Sequence, residues 1–291
     1  MIVITGATGN IGQHVVAELK KANADFRVMA RNPDAARPKL GDVSIVQGDM
    51  DNPASMLKAF AGCDALFLLC VHGPTMEARQ LRAVEAAKQA GIKRIVKVSG
   101  SPNTVEQHSP ADTGREHWAI EQAIKQSGLE YAMLRPNFFM QNLLDLPAKM
   151  VSKGQTLKMP FPKDLPISFV DTRDIGACAA RCLMAGQPLH DTYEITGAAS
   201  SFAELAFVLS QILGRKVKFK AIPLGLLGIV LRLKGLDRWS IEHRKQIIRM
   251  FHQGSGSKAS PDVEKITGHA PRNLKNFVND TLAYWEGAEQ I

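Results

Sequence analysis

The stretch MIVITGATGNIG, residues 1–12, decides the fold that we predict for this chain. Residues 1–4 are an uninterrupted apolar run, typical of a strand buried on both faces, and the residues after the glycines have apolar side chains at helical spacing. Between a strand and a helix, Gly6 permits a tight turn, Gly9 lets the backbone approach a pyrophosphate, and Gly12 lets the helix pack closely on the strand. A glycine-rich turn without a ligand is the alternative. We predict a dinucleotide contact for the whole turn: Gly6, Ala7, Thr8, Gly9, Asn10, Ile11 and Gly12.

The second predicted strand, residues 26–30, ends at Arg31. An acidic residue at this position would bind the ribose 2′-hydroxyl of NAD, whereas a guanidinium can pair with a 2′-phosphate and stack on adenine. The sequence therefore predicts NADP(H) as the cofactor. An ordinary solvated charge after a strand is the alternative for Arg31.

Further short apolar runs alternate with helical segments along the first half of the chain, at residues 43–46, 65–70, 94–98 and 131–135. This alternation predicts an α/β protein with a Rossmann-type doubly wound parallel sheet. Ligands bind such sheets at the carboxyl ends of the strands. Residues at those ends are therefore further candidates for cofactor binding, although the first of them is equally suited to cap the helix that begins near Pro53: Asp49, Met50, Cys70, Pro136, Asn137 and Phe138.

In the second half of the chain, apolar runs and helical segments alternate less regularly. We predict a cofactor-binding domain over residues 1–153 and a smaller, interleaved substrate lobe over residues 154–291, with residues 171–200 returning to the main sheet. A helix is predicted from Met140 to Met150. The apolar residues 222–257 are expected to cover the substrate or to bind a partner protein.

The bulk composition narrows the class of protein. The 36 basic and 28 acidic residues give a net charge of +8, which favours anionic ligands, and no nucleic-acid motif is present. Cys178 and Cys182 lie in an apolar run and are expected to be small buried residues instead of metal ligands, so no metal is predicted. Residues 224–233 are too few to span a bilayer, and because the chain opens on a core strand we expect no signal peptide. We expect a cytoplasmic protein. The sequence leaves open whether it forms a homodimer.

The spacing Thr-Gly-Ala-Thr-Gly-x-x-Gly at residues 5–12 resembles the extended and atypical branches of the short-chain dehydrogenase/reductase superfamily. That resemblance implies a catalytic Ser or Thr after the fifth strand, which Ser99 matches. It also implies a Tyr-x-x-x-Lys pair on the next helix, where this chain has Thr113 and His117. With residues 131–142, these departures resemble the NmrA-like branch, and within it the type 2 NAD(P)H:quinone oxidoreductases and triphenylmethane-dye reductases.

The absence of the phenol points to the kind of substrate. Reduction of a simple ketone creates an alkoxide that needs a general acid, whereas a quinone or cationic dye gives a delocalised anion or a neutral product. His117 is the candidate for a polar catalytic role, with an ordinary surface histidine as the alternative. The aromatic and amide side chains after the sixth strand are suited to a flat acceptor, although the phenylalanines are equally suited to a core; the predicted substrate contacts are Phe139, Gln141 and Asn142.

Two functions of different class follow from the sequence. The first is an NADPH-dependent oxidoreductase that transfers hydride to a quinone-like or other conjugated small molecule. The second is a non-catalytic regulator that binds NADP and passes the redox signal to a protein, as the resemblance to the NmrA-like branch implies.

Overall fold

The computed structural model describes residues 1–287 of the chain. Its main sheet has seven strands, which in chain order are β1 (Ile2–Ile4), β2 (Phe26–Ala30), β3 (Ile45–Gln47), β4 (Ala65–Leu68), β5 (Arg94–Val98), β6 (Glu130–Pro136) and β10 (His190–Ile195). In space their order is β10-β6-β5-β4-β1-β2-β3, and all neighbours are parallel. The order reverses beside β1, so the carboxyl end of β1 is the place where a doubly wound sheet binds ligands.

Helices cover both faces of this sheet, and their bounds are α1 (Gly12–Lys21), α2 (Pro33–Leu40), α3 (Pro53–Phe60), α4 (Met76–Gln89), α5 (Asp112–Gln126) and α7 (Thr172–Leu183). The core on one face contains residues of α1, α2 and α7, and the core on the other face contains residues of α3, α4 and α5. The predicted doubly wound α/β fold is confirmed. The chain returns to the sheet at β10, which pairs in parallel with β6 from His190–Tyr131 to Ile195–Pro136.

The rest of the chain builds a third core beside the carboxyl ends of the strands. Phe169, Phe202, Phe277 and Trp285 are among its fully buried side chains. Its elements are β7 (Phe138–Phe139), a 3₁₀ helix (Met140–Leu143), α6 (Leu146–Gly154), β8 (Thr156–Met159), β9 (Ile167–Val170), β11 (Ala199–Ser200), α8 (Phe202–Leu213), β12 (Lys218–Ala221), α9 (Leu224–Leu233), α10 (Arg238–His252), α11 (Asp262–Thr267), α12 (Leu274–Asp280) and α13 (Leu282–Glu286). This core draws on residues before and after position 153, and the domain boundary there stays a prediction.

Two local predictions differ from the structure. The helix expected from Met140 to Met150 is divided into the 3₁₀ helix and α6, with Pro147 in the first turn of α6, where its missing N–H costs no hydrogen bond. The cap of α3 is Asn52, whose side chain accepts a hydrogen bond from the Ser55 N–H, and not Asp49. Asp49 is therefore free of the capping role.

Within residues 1–287, no helix is both long enough and apolar enough to cross a membrane.

Candidate functional site

The glycine turn at residues 6–12 joins β1 to α1. Gly6 has a φ of +66°, and a Cβ there would approach the Leu69 carbonyl oxygen to 2.8 Å. A Cβ on Gly12 would overlap the Gly6 carbonyl oxygen and the Ala7 Cα. At Gly9, by contrast, the nearest atom is the Gly6 carbonyl oxygen, in ordinary contact at 3.4 Å. Gly6 and Gly12 are therefore needed by the turn itself, whereas the space beside Gly9 is open to a ligand.

Thr5 fixes the end of β1 against the end of β4. Its hydroxyl accepts a hydrogen bond from the Leu69 N–H at 3.0 Å and lies 2.9 Å from the Phe67 carbonyl oxygen, to which it can donate. The side chain is buried, so these bonds replace water contacts that the hydroxyl lost on folding. The glycine turn thus starts from a fixed position. The N–H groups of the first turn of α1 follow it, and such groups favour an anion.

A groove with a volume of about 490 Å³ opens at these strand ends. Seven of the predicted cofactor residues line it: Gly6, Ala7, Thr8, Arg31, Asp49, Met50 and Cys70. The other predicted cofactor residues do not line this groove: Gly9, Asn10, Ile11, Gly12, Pro136, Asn137 and Phe138. The structure therefore brings the ends of β1, β2, β3 and β4 together around one cavity.

Three cationic side chains line the groove: Arg31, Lys39 and Arg79. Arg31 and Lys39 are exposed there, and Arg31 also borders an adjoining cavity of about 420 Å³ that Lys58 lines. Arg79 lines the groove as well, but it binds Asp51 with nitrogen–oxygen distances of 2.9 and 2.5 Å. This hydrogen bond lowers the pKa of the Asp51 carboxyl. Arg31 and Lys39 thus offer positive charge to an anionic group, and Lys39 is a groove residue that the sequence interpretation missed.

A buried lysine lies on β5, next to the position predicted to be catalytic. The Lys97 Nζ is 2.9 Å from the His117 Nδ1 and donates to the Val98 carbonyl oxygen at 3.0 Å. Burial lowers the pKa of Lys97 to about 7, although the Glu121 carboxylate opposes this shift. Burial, and then the Lys97 charge, hold the pKa of His117 well below its usual value. His117 is therefore a buried neutral imidazole at pH 7, which excludes the alternative of an ordinary surface histidine.

Ser99 follows β5 and is part of a second buried group. Its hydroxyl donates to the Glu121 Oε1 at 2.6 Å, and the Arg135 guanidinium binds both carboxylate oxygens of Glu121 at 3.0 and 2.6 Å. Glu121 is completely buried, so these three bonds offset the cost of removing its charge from water. The hydroxyl proton of Ser99 is thus engaged by Glu121, and its catalytic role stays a prediction.

Three aromatic rings stack on one another between the β4–α4 loop and α10. The His72 ring lies 4.1 Å from that of His243 and 5.2 Å from that of Trp239, centroid to centroid. Burial is the main reason that the pKa of His72 falls to about 4. The His72 Nε2 is 4.0 Å from the Glu116 Oε2, and neither atom has a hydrogen-bond partner within residues 1–287. The His72 and His117 centroids are 6.4 Å apart, so the stack adjoins the buried Lys97–His117 pair.

Residues 137–142 connect the sheet to the third core. The Asn137 side chain donates to the Gly256 carbonyl oxygen at 2.8 Å, which holds the loop after α10 against the end of β6. The Phe138 ring packs edge-on against four other rings, among them Phe169 and Phe202. Gln141 donates to the Asp171 Oδ1 at 2.9 Å. The predicted ligand contacts of Asn137, Phe138 and Gln141 thus compete with structural roles that these side chains already perform.

The two remaining predicted substrate residues are placed differently. Phe139 is half-buried and packs against the core that contains α1 and α7, whereas Asn142 is exposed. A shared substrate contact of Phe139, Gln141 and Asn142 stays a prediction.

The fold and the groove define the class of protein: a dinucleotide-binding α/β protein with a glycine turn at the switch point of its sheet. Residues 1–284 match the NmrA-like family, and the chain belongs to that family.

Relatives with reductase names match almost the whole chain. An NAD(P)H azoreductase from Xenophilus azovorans is 29% identical over 290 residues, which cover 99% of this chain and 100% of the relative. An NADPH-dependent quinone oxidoreductase from Escherichia coli has a structure with a TM-score of 0.85 at 25% identity, covering 97% of this chain and 100% of that one. The triphenylmethane reductase of Citrobacter sp., complexed with NADP(H), has a TM-score of 0.86 at 25% identity, with 96% and 99% covered.

Proposed function

We propose that this chain is an NADPH-dependent oxidoreductase that transfers hydride to a quinone-like or other conjugated acceptor. The observation that carries the proposal is the glycine turn that opens on the groove, with the cation Arg31 at the end of β2. The names of the relatives support the same chemistry, because quinones, azo compounds and triphenylmethane dyes are all conjugated acceptors.

The residues of the groove and of the adjoining glycine turn fit this cofactor. The open space beside Gly9 and the N–H groups at the start of α1 suit a pyrophosphate. Arg31 and Lys39, which both line the groove, suit a 2′-phosphate, and we expect Asp49 and Met50 of the same groove to border the adenine.

We infer that the residues near β5 orient the bound molecules and do not provide a strong acid. When bound, the nicotinamide supplies the hydride. When Lys97 is protonated it has only donors, so its Nζ then donates to the His117 Nδ1 and the ring hydrogen of His117 lies on Nε2. His117 thus offers one oriented N–H donor, suited to a ribose hydroxyl. Because Thr113 stands where a phenol would be, we infer that the acceptor needs no obligatory acid from the protein.

The regulatory alternative has weaker support, since the relatives described above carry reductase names. We also propose a cytoplasmic location, because the four cysteines are free thiols and reducing compartments preserve thiols.

The test is the loss of NADPH absorbance with a panel of acceptors. We expect turnover with quinones and triphenylmethane or azo dyes, and slow turnover with unactivated ketones, whose alkoxide must be protonated. Rapid reduction of an unactivated ketone with inert quinones would overturn the mechanism. Tight NADPH binding with no turnover of any acceptor would favour the regulator instead.

A further inference from the structure

Helix α9 carries an apolar stripe that faces solvent. Leu226, Ile229 and Leu233 are 45%, 60% and 83% exposed, and their spacing of three and four residues places them on one side of the helix. The opposite side is buried through Gly228 and Leu231, and Gly228 packs against the side chain of Lys245 on α10. The helix therefore has one apolar side in the protein and a second apolar side in water. Three large side chains in a row on an exposed helix mark an interaction surface.

The chain around this stripe is strongly basic. Residues 214–236 contain six Lys or Arg residues and no Asp or Glu, and so account for six of the eight net positive charges. Arg215 donates to backbone carbonyl oxygens of α6 and α13. In residues 1–287 the other five form no ion pair, and all of them are exposed: Lys216, Lys218, Lys220, Arg232 and Lys234.

The basic and apolar groups lie on consecutive elements of the fold. Lys218 and Lys220 lie two residues apart on β12, which pairs with β8, and only Ile222 and Pro223 separate β12 from α9. The Ile222 N–H donates to the Met159 carbonyl oxygen at 3.0 Å, which fixes this short connection. We call the three apolar side chains of α9 and the five exposed cations together the α9 surface.

We propose that the α9 surface binds the surface of an anionic lipid bilayer, with the apolar stripe inserted among the acyl chains and the cations at the headgroups. An amphipathic helix with leucine and isoleucine on one side and Lys or Arg beside them is the pattern of helices that lie in a membrane interface. A second copy of this chain is a poorer occupant, because two copies of the same surface would bring cations against cations. Charge complementarity thus selects the anionic bilayer, independently of the reaction that the protein catalyses.

The test is co-sedimentation of the full chain with vesicles of phosphatidylcholine mixed with phosphatidylglycerol, compared with vesicles of phosphatidylcholine alone. We expect binding to the mixed vesicles, weaker binding to the neutral ones, and release by added salt. Each Lys or Arg at such a surface contributes about fivefold in partitioning, so replacing Lys216, Lys218 and Lys220 by Gln is expected to weaken binding roughly a hundredfold. The double variant Ile229→Asp with Leu233→Asp is expected to abolish it.

A matched control removes the same number of charges from a different part of the protein surface. Replacing the exposed Lys21, Lys125 and Lys275 by Gln removes the same net charge and is expected to change binding less than about threefold. Circular dichroism melts verify that each variant is folded. Equal binding to both vesicle types, or an equal loss in the control, would overturn the proposal. So would a dimer that Ile229→Asp disrupts in the absence of any vesicle binding.

Discussion

The glycine turn at residues 6–12 and the buried Lys97–His117 pair both adjoin strands of the main sheet, but they are built differently. The turn is made within one short stretch, from backbone atoms, and it opens on the groove. The pair joins β5 to α5, and rings from α10 cover the neighbouring His72. In the turn, function depends on where a Cβ is absent. In the pair, it depends on which charges the protein removes from water.

The first prediction separates the two roles of glycine in the turn. Gly9→Val should stay folded, because the space beside Gly9 is open, yet lose at least about a hundredfold in NADPH affinity. Gly12→Val is the contrast: its side chain overlaps the Gly6 carbonyl oxygen, so it should lose roughly 1–3 kcal/mol of stability. Titration calorimetry and thermal melts measure both effects. Unchanged NADPH affinity in folded Gly9→Val would show that the turn does not hold the cofactor.

The second prediction concerns cofactor choice at the end of β2. NADPH should bind more than about tenfold tighter than NADH, and Arg31→Ala should remove most of that difference while NADH affinity changes little. Lys125→Ala, an exposed lysine outside the groove, is the control and should leave the ratio as it is. Equal affinities for the two nucleotides in the wild type would contradict the assignment.

The third prediction uses the buried lysine. The pKa of Lys97 is about 7 in the folded protein and about 10.5 in the unfolded chain, so the unfolded state binds more protons between these values. Stability should therefore rise with pH above 7, relative to Lys97→Met, by up to about 1.4 kcal/mol per pH unit. Below pH 7 the cost of burying the charge is fully present and the difference is constant.

Urea unfolding of wild type and Lys97→Met at a series of pH values measures this difference. Lys93→Met is the matched control, since Lys93 is exposed and its pKa is raised by the Asp64 carboxylate instead of lowered. Parallel stability curves for wild type and Lys97→Met would show that Lys97 keeps its proton in the folded protein.

The fourth prediction is the smallest effect and concerns His117. Its replacement by Ala should lower kcat for quinones by less than about tenfold, because the variant loses an oriented hydrogen-bond donor and does not lose an obligatory acid. A loss of about a hundredfold or more, confined to kcat and dependent on pH, would make His117 the proton donor. Thr113→Ala serves as the control for the other replaced family position and should have little effect.

The strand ends around the groove follow from local sequence patterns. Buried parallel strands are apolar runs, and glycine spacing encodes a turn without help from distant residues. For that reason β1, β2 and β5 have nearly the predicted bounds. Short edge strands such as β7 and β8 have no such pattern, because β7 has only two residues and both strands are only partly buried.

Lys97 is unusual in the sequence, but the sequence does not reveal its partner. A lysine within the apolar run Arg94–Val98 departs from the composition of a buried strand, and that departure was the available signal. Its partner, however, lies twenty residues further along the chain on α5. No spacing rule connects a strand residue with one face of the following helix.

The sequence by itself determined the doubly wound sheet, the glycine turn and the cation at the end of β2, because apolar runs, helical spacing and glycine spacing are patterns that can be read within short stretches of the chain. Only the tertiary structure decided that His117 is buried and neutral, that Ser99 is bonded to Glu121, and that rings of α10 stack on His72. Burial and charge are properties of the surroundings, and distant segments supply those surroundings only when the chain is folded.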